Sequence, residues 1–213
     1  MDSLLGSVNL INSISTDTKS IGLPDKWTIM TVLEYAQSVM SGSTPSRTVD
    51  DYWLNGTIPW LKSGEVHNNI TIGTEEFITE LGLKNSSTHI LPPDTVLIAM
   101  YGVTAGEVGY SAVPATTNQA ICGMICENKT RAAFLFFTLL YNQQRISRLS
   151  NGGAQDNLSK AFIENIKLIV PSSEVLETLG LTVLVERLTE NEREISALKQ
   201  MQAVILSKLS SGM

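Results

Sequence analysis

One stretch of this chain has an imposed geometry. From Leu181 to Leu209 a single heptad register places Leu181, Leu188, Ile195, Gln202 and Leu209 at one seam position, and Leu184, Asn191, Leu198 and Ile205 at the other. Seven of the nine are apolar. A narrow stripe of this period suits a coiled-coil seam better than the broad face of a surface helix. The seam's 29 residues make roughly 40 Å of rod at about 1.5 Å per residue. About 170 residues of turn-rich sequence precede it. The layout predicts one compact module positioned by a rod, an arrangement that suits a reader better than an independent enzyme.

The module has enough apolar sequence to build a core. The longest apolar run, AAFLFFTLLY at 132–141, is about half of a membrane span and reads as a buried helix. The opening MDSLLGSVNLINSIS lacks a basic segment and a clear cleavage site, which makes the cytoplasm the default location. In ICGMIC, Cys122, Met124 and Cys126 share one face of a strand, and the two thiols read as small buried apolar groups. Net charge is −6, shared between module and rod. A non-specific nucleic-acid binder would be basic. A sequence reader with a local basic face stays open, and would need a partner's help with phosphate contacts.

Turn signals divide the module. Residues 1–22 are weakly patterned and form an N-terminal arm. LPDKW is a turn entering an amphipathic stretch, SGSTPSR at 41–47 is a loop, and Ile58–Lys62 has strand rhythm. Residues 75–83 read as a short helix, Thr95–Met100 as a buried strand and Ala120–Cys126 as another. A helix is expected over about 131–147, a loop at 151–157 and a strand over Phe162–Val170 ending at Pro171. The rod is expected to start close to Ser173, with Ser172 or Ser173 as N-cap. Strands and short helices mix without a βαβ repeat, so the fold class is α+β. The segments are an arm at 1–22, a module at 23–171 and a helix at 172–213.

Catalytic signatures are missing from the sequence. It has no phosphate loop, dinucleotide fingerprint or nucleophile elbow. Gly102, Gly106 and Gly109 lack the Lys-Ser/Thr that a phosphate loop needs, and read as tight turns. Asp50 and Asp51 are sequence neighbours, which rarely converge on one reacting atom. Loop chemistry is more suggestive. Arg47, Lys62, Tyr101, Asn118, Gln119, Arg148, Asn151, Gln155 and Asn157 lie in or beside turns. Arg and Lys reach guanine edges or phosphates, and Asn and Gln reach adenine edges. For Asn118 and Gln119 a bond to loop backbone is the competing reading, and Trp60 reads as a core anchor.

The segments LPDKW (23–27), SGSTPS (41–46), YWLNGTIPWLKSGEV (52–66), ITELGLKNSS (78–87), LPPDTVLIAMYGVTAGEVGY (91–110), TTNQAICGM (116–124) and NGGAQDNLSKAFIENIKLIVP (151–171) occur in this order. In that order and spacing, the chain resembles the DNA-specificity subunit of type I restriction-modification systems. The resemblance implies a target-recognition domain followed by a helix, two such units joined by an antiparallel coiled coil, and a bipartite DNA target. It implies no catalytic centre in this chain. Modification subunits would bring adenine methylation with S-adenosylmethionine, and restriction subunits would bring ATP- and Mg-dependent translocation and cleavage. This chain holds one domain and one helix, half of that unit, so the expected partner is a second copy of itself on double-stranded DNA.

Against the usual pattern, the junction Pro171-Ser172-Ser173-Glu174 carries a single proline. The expected DNA contacts are Arg47, Lys62, Tyr101, Arg148 and Gln155. Lys62 and Arg148 are assigned to phosphates, Arg47 and Gln155 to base edges, and Tyr101 to backbone or base. Target-specific residues could also lie in 67–77 and 110–117. Two other readings remain: a specificity chain of a type II system with a fused nuclease-methyltransferase, and a coiled-coil scaffold without DNA binding.

Overall fold

The computed structural model describes residues 23–68, 70–150 and 157–211. The N-terminal arm therefore lies outside the described residues, as does most of the 151–157 loop, including Gln155.

The first strand, β1 (Thr28–Thr31), runs into a single helical turn, α1 (Val32–Tyr35). Thr31 and Glu34 make a reciprocal capping box there, which satisfies donors the short helix cannot pair internally. Then come β2 (Ser38–Ser41), a 3-10 turn at Asp50–Tyr52 and β3 (Ile58–Leu61). After a second 3-10 turn at Ser63–Asn68 follow β4 (Ile70–Thr71), β5 (Glu76–Ile78) and α2 (Glu80–Lys84). The helix expected over 75–83 is thus half strand. Glu76–Ile78 pairs with β3, and Thr79 caps the helix only from Glu80 onward.

Next are β6 (Thr95–Ala99), β7 (Val108–Ser111), β8 (Thr116–Thr117) and β9 (Ile121–Ile125). The expected 131–147 helix is two helices, α3 (Lys129–Tyr141) and α4 (Gln143–Ser150). Asn142 ends the first; its buried side chain donates to the Thr138 carbonyl. The segment expected as one strand over 162–170 is α5 (Lys160–Glu164), capped by Ser159, and then β10 (Lys167–Val170). The rod does not begin at Ser173. Ser172 caps a short helix, α6 (Ser173–Thr178), and Gly180 at φ +63° breaks the chain before α7 (Leu181–Ser211). That left-handed backbone favours glycine, the residue without a Cβ penalty there.

The α+β class holds. The central sheet has the order β2-β9-β6-β7-β4, antiparallel except for β4 on β7. A small sheet, β5-β3-β8, stands beside it, and β1 pairs with β10, bringing residues 28–31 against 167–170. β6 is buried on both faces. Val96 and Ile98 join the main core with Tyr110, Met124, Phe136 and Leu139. Leu97 and Ala99 face Leu61, Val66, Leu91 and Ile121 on the other side. A strand buried on both faces loses the polar alternation of a half-exposed one, which is why VLIA, after Thr95, is uniformly apolar.

Cys122 lies in the main core and Cys126 packs against it. Burial, the largest cause, pushes both thiols up to about 12. No helix among the described residues is long and apolar enough to cross a membrane.

The rod docks on the domain by one flank. In its heptad, Thr182, Val185, Thr189, Glu192 and Ser196 form a stripe beside the seam, and beyond Leu181 they are the rod's buried or half-buried positions. Lys129, at the start of α3, pairs with Glu186 at 2.8 Å. Leu181 packs against the main core. The exposed seam therefore begins at Leu184. Leu184, Leu188, Ile195, Leu198, Ile205 and Leu209 are 37–65% exposed, and Asn191 and Gln202 are exposed as well.

Candidate nucleic-acid interface

One end of the central sheet gathers the loops that carry the expected contacts. β2 leads into the 41–47 loop, where Gly42 sits so close to Thr117 that any Cβ would overlap its carbonyl. β3 ends at Leu61, whose carbonyl accepts from the Asn118 backbone N–H. β6 ends in the turn 100–107, and β9 begins just after Gln119. The Ser63–Asn68 turn packs against the Gly102–Thr104 turn. These connections put loops from four parts of the chain on one rim.

Arg47 and Lys62 are brought together, and both are already engaged. The Arg47 guanidinium lies 3.5 Å from the Trp53 ring centre and 4.8 Å from that of Trp60. The two indoles meet edge to face at 5.0 Å. Each is anchored by its Nε1–H, Trp53 to the Ser46 carbonyl and Trp60 to the Ser43 carbonyl, both at 3.0 Å. Arg47 also donates from Nη1 to Glu76 Oε2. Lys62 Nζ reaches Glu75 Oε2 at 2.8 Å and Glu76 Oε1 at 3.1 Å.

The hydrogen bonds to Glu75 and Glu76 hold the Lys62 ammonium above its usual range, and the bond from Arg47 holds the Glu76 carboxyl below its own. Glu65 braces the cluster from below. Its carboxylate accepts from the Lys62 backbone N–H at 2.8 Å and from that of Glu75 at 2.9 Å. Sequence reasoning missed the roles of Glu75 and Glu76. Arg47 and Glu76 are far apart along the chain, and only the pairing of β3 with β5 brings the carboxylate to this rim.

The second expected group surrounds the 100–107 turn. Tyr101 is part-exposed and forms an isolated bridge with Asn157. Gly102 and Gly106 take φ of +70° and +88°, as the tight turn requires. Gly106 abuts Ser147 of α4. The turn is held by Gly106 N–H to the Ala99 carbonyl and Leu158 N–H to the Met100 carbonyl. It presents Val103 fully to solvent, an apolar tip that sequence patterning had not singled out. Arg148 follows Ser147 in the last turn of α4, exposed and without an ion pair among the described residues.

Asn118 bonds to loop backbone, as expected, whereas Gln119 bonds to a side chain across the loops. Asn118 Oδ1 accepts from the Ala120 backbone N–H, and Gln119 Oε1 accepts from the Thr44 hydroxyl at 2.7 Å. Trp60 is buried, as an anchor should be. Among the described residues no cluster of His, Cys, Asp and Glu could hold a metal ion. The rim thus offers an arginine on an aromatic platform, an amide, a lysine and a tyrosine on loops, with an exposed arginine at the end of α4, chemistry suited to phosphates and base edges.

Known proteins are similar to this chain in sequence and in fold. The chain is 27% identical over 199 residues to the type I restriction enzyme MjaIX specificity subunit of Methanocaldococcus jannaschii, covering 87% of this chain and 44% of that one. It is 24% identical over 196 residues to the HindI specificity subunit of Haemophilus influenzae, covering 89% and 42%. Among solved structures, the type I restriction-modification S subunit from M. genitalium superposes with a TM-score of 0.64 at 18% identity, covering 98% of this chain and 49% of that one. The chain spans less than half the length of each of these relatives. Residues 24–204 match the family pattern described as the type I restriction modification DNA specificity domain, and the chain belongs to that family.

Proposed function

We propose that this chain reads one half of a split DNA target and that a second copy, joined through α7, reads the other half. The observation that carries this reading is the pair of unlike flanks on the rod. One flank holds the domain, and the seam beside it is an apolar stripe left in solvent. Exposed apolar surface on this scale marks an association site.

Antiparallel packing finds a consistent register. Leu184 faces Leu209 of the second copy, Leu188 faces Ile205, Asn191 faces Gln202 and Ile195 faces Leu198. The two polar seam residues meet each other, and every other layer is apolar. Outside the seam, Glu192 comes beside Lys199 of the second copy, twice by symmetry. A two-fold axis across the rod brings like flanks together, so both domains lie on the same side, near opposite ends. A parallel pair would also match charges, but it would set both domains at one end. With α7 about 46 Å long, the readers sit roughly one helical turn of DNA or a little more apart.

In this reading the chain is the non-catalytic reader of a type I restriction-modification complex. Modification subunits using S-adenosylmethionine would methylate adenines at an interrupted palindrome. Restriction subunits using ATP and Mg would act when the site is unmodified. Arg47, Lys62, Tyr101, Arg148 and Gln155 are the proposed contacts.

Mapping methylated adenines in cells with and without the chain tests the function. A split symmetric motif that disappears with the chain supports it. A methylome that does not change rejects it. Orientation is read from engineered cysteines. Asn191→Cys with Gln202→Cys should cross-link the antiparallel dimer, whereas cross-linking by Asn191→Cys alone would mean a parallel one.

A further inference from the structure

We propose that Glu75 and Glu76 determine the specificity of the DNA contact by holding Arg47 and Lys62 in internal ion pairs that only a well-fitted DNA backbone displaces. This inference rests on reading the rim as the DNA interface.

The geometry separates two tasks. Glu65 spends both carboxylate oxygens on backbone N–H groups and so shapes the loop. Glu75 and Glu76 instead meet the cations directly. Arg47 is held against two anchored indoles. Its side chain is nevertheless 49% exposed, and that of Lys62 is 35% exposed. A phosphate could therefore take over one of their N–H groups without moving the cation. What it meets beside each cation is a carboxylate, whose negative charge it must outcompete.

Loose binding of random DNA draws on counterion release, which grows with the number of free cations that meet phosphates. A cation already neutralised by its own carboxylate adds little to that term. A target site has base contacts that hold the duplex in place, so its phosphates can compete for the paired cations. Random DNA lacks that hold. The arrangement also fits a chain of net charge −6, whose selectivity cannot rest on a basic surface.

The test is binding of the purified full chain to a random-sequence 40-base-pair duplex, followed by fluorescence anisotropy across salt concentration. Glu75→Gln with Glu76→Gln should tighten this non-specific binding about tenfold near 0.1 M salt. The slope of log affinity against log salt should steepen by about one to two units, as one or two phosphate contacts are gained. Glu75→Gln alone, at a side chain that is 72% exposed, should give a smaller gain in the same direction without threatening the fold.

The gain must depend on the cations. With Arg47→Ala and Lys62→Ala in place, the same Glu→Gln changes should have no effect. A control substitution, Glu80→Gln on α2, should also leave binding unchanged. Equal gains with and without the cations would overturn the inference, as would no gain at all while the methylation motif still depends on the chain. If the motif does not depend on the chain, the DNA-reading proposal falls, and this inference with it.

Discussion

The domain and the rod use apolar residues in opposite ways. In the domain, β6 is enclosed on both faces, and Leu97, Ile98 and Val96 are wholly buried. Along α7 the leucines and isoleucines of the seam from Leu184 onward stand in solvent, and burial beyond that point is confined to the flank that meets the domain. The domain therefore holds the reasons for its own fold. The rod carries an exposed apolar seam, which the proposed second helix would cover. The candidate interface lies between these extremes: loops whose polar groups mostly bond to one another.

The sharpest way to test that contrast is to truncate one leucine in each region. Leu97→Ala removes a side chain packed against Leu61, Val66, Leu91 and Ile121. It should cost about 2–5 kcal/mol of domain stability in denaturant unfolding, the usual range for a buried leucine. Leu198→Asp changes a residue that touches solvent, so domain unfolding should stay within about 0.5 kcal/mol. Sedimentation should instead show a loss of self-association. A seam variant that unfolds the domain, or a core variant that leaves it unchanged, would break the comparison.

A smaller effect is expected at the junction. Gly180 holds a left-handed conformation with open space around its Cβ position. Gly180→Ala should therefore cost about 1 kcal/mol, from backbone conformation alone. Its main consequence should be a changed angle between rod and domain, measurable by small-angle scattering. No change in either quantity would show that the break at Gly180 does not set the angle.

Asn191→Leu should have the smallest effect on the fold and a selective effect on association. It should tighten the dimer while loosening its register, because a polar pair at the seam specifies alignment at some cost in stability. Cross-linking that retains a single register would assign that role elsewhere.

The sequence carried the larger features clearly. The heptads located the rod because helical period and burial face are coupled. The uniform apolar run at 96–100 located the central strand for the same kind of reason. Element boundaries were harder. Asn142 divides one expected helix in two by bonding back to Thr138, and Gly180 splits the rod from α6; each is a local event inside an otherwise continuous pattern. Residues 75–83 read as a helix because the strand at Glu76–Ile78 owes its existence to pairing with β3.

At the rim, Arg47 and Lys62 could be named from residue type and loop position. Their carboxylate partners could not, because strand pairing decides what lies across from them. The flank that docks the domain was equally hidden. Val185, Thr189, Glu192 and Ser196 form no apolar stripe, and only the packed structure marks them.

The central claim is that two identical readers face one duplex from the same side of a shared rod. The most direct measurement is selection of bound duplexes from a random pool by the chain assembled with its modification subunits. The expected result is two identical inverted half-sites with centres about one helical turn or slightly more apart. Enrichment of a single undivided site, of two unlike halves, or of no sequence would contradict the account.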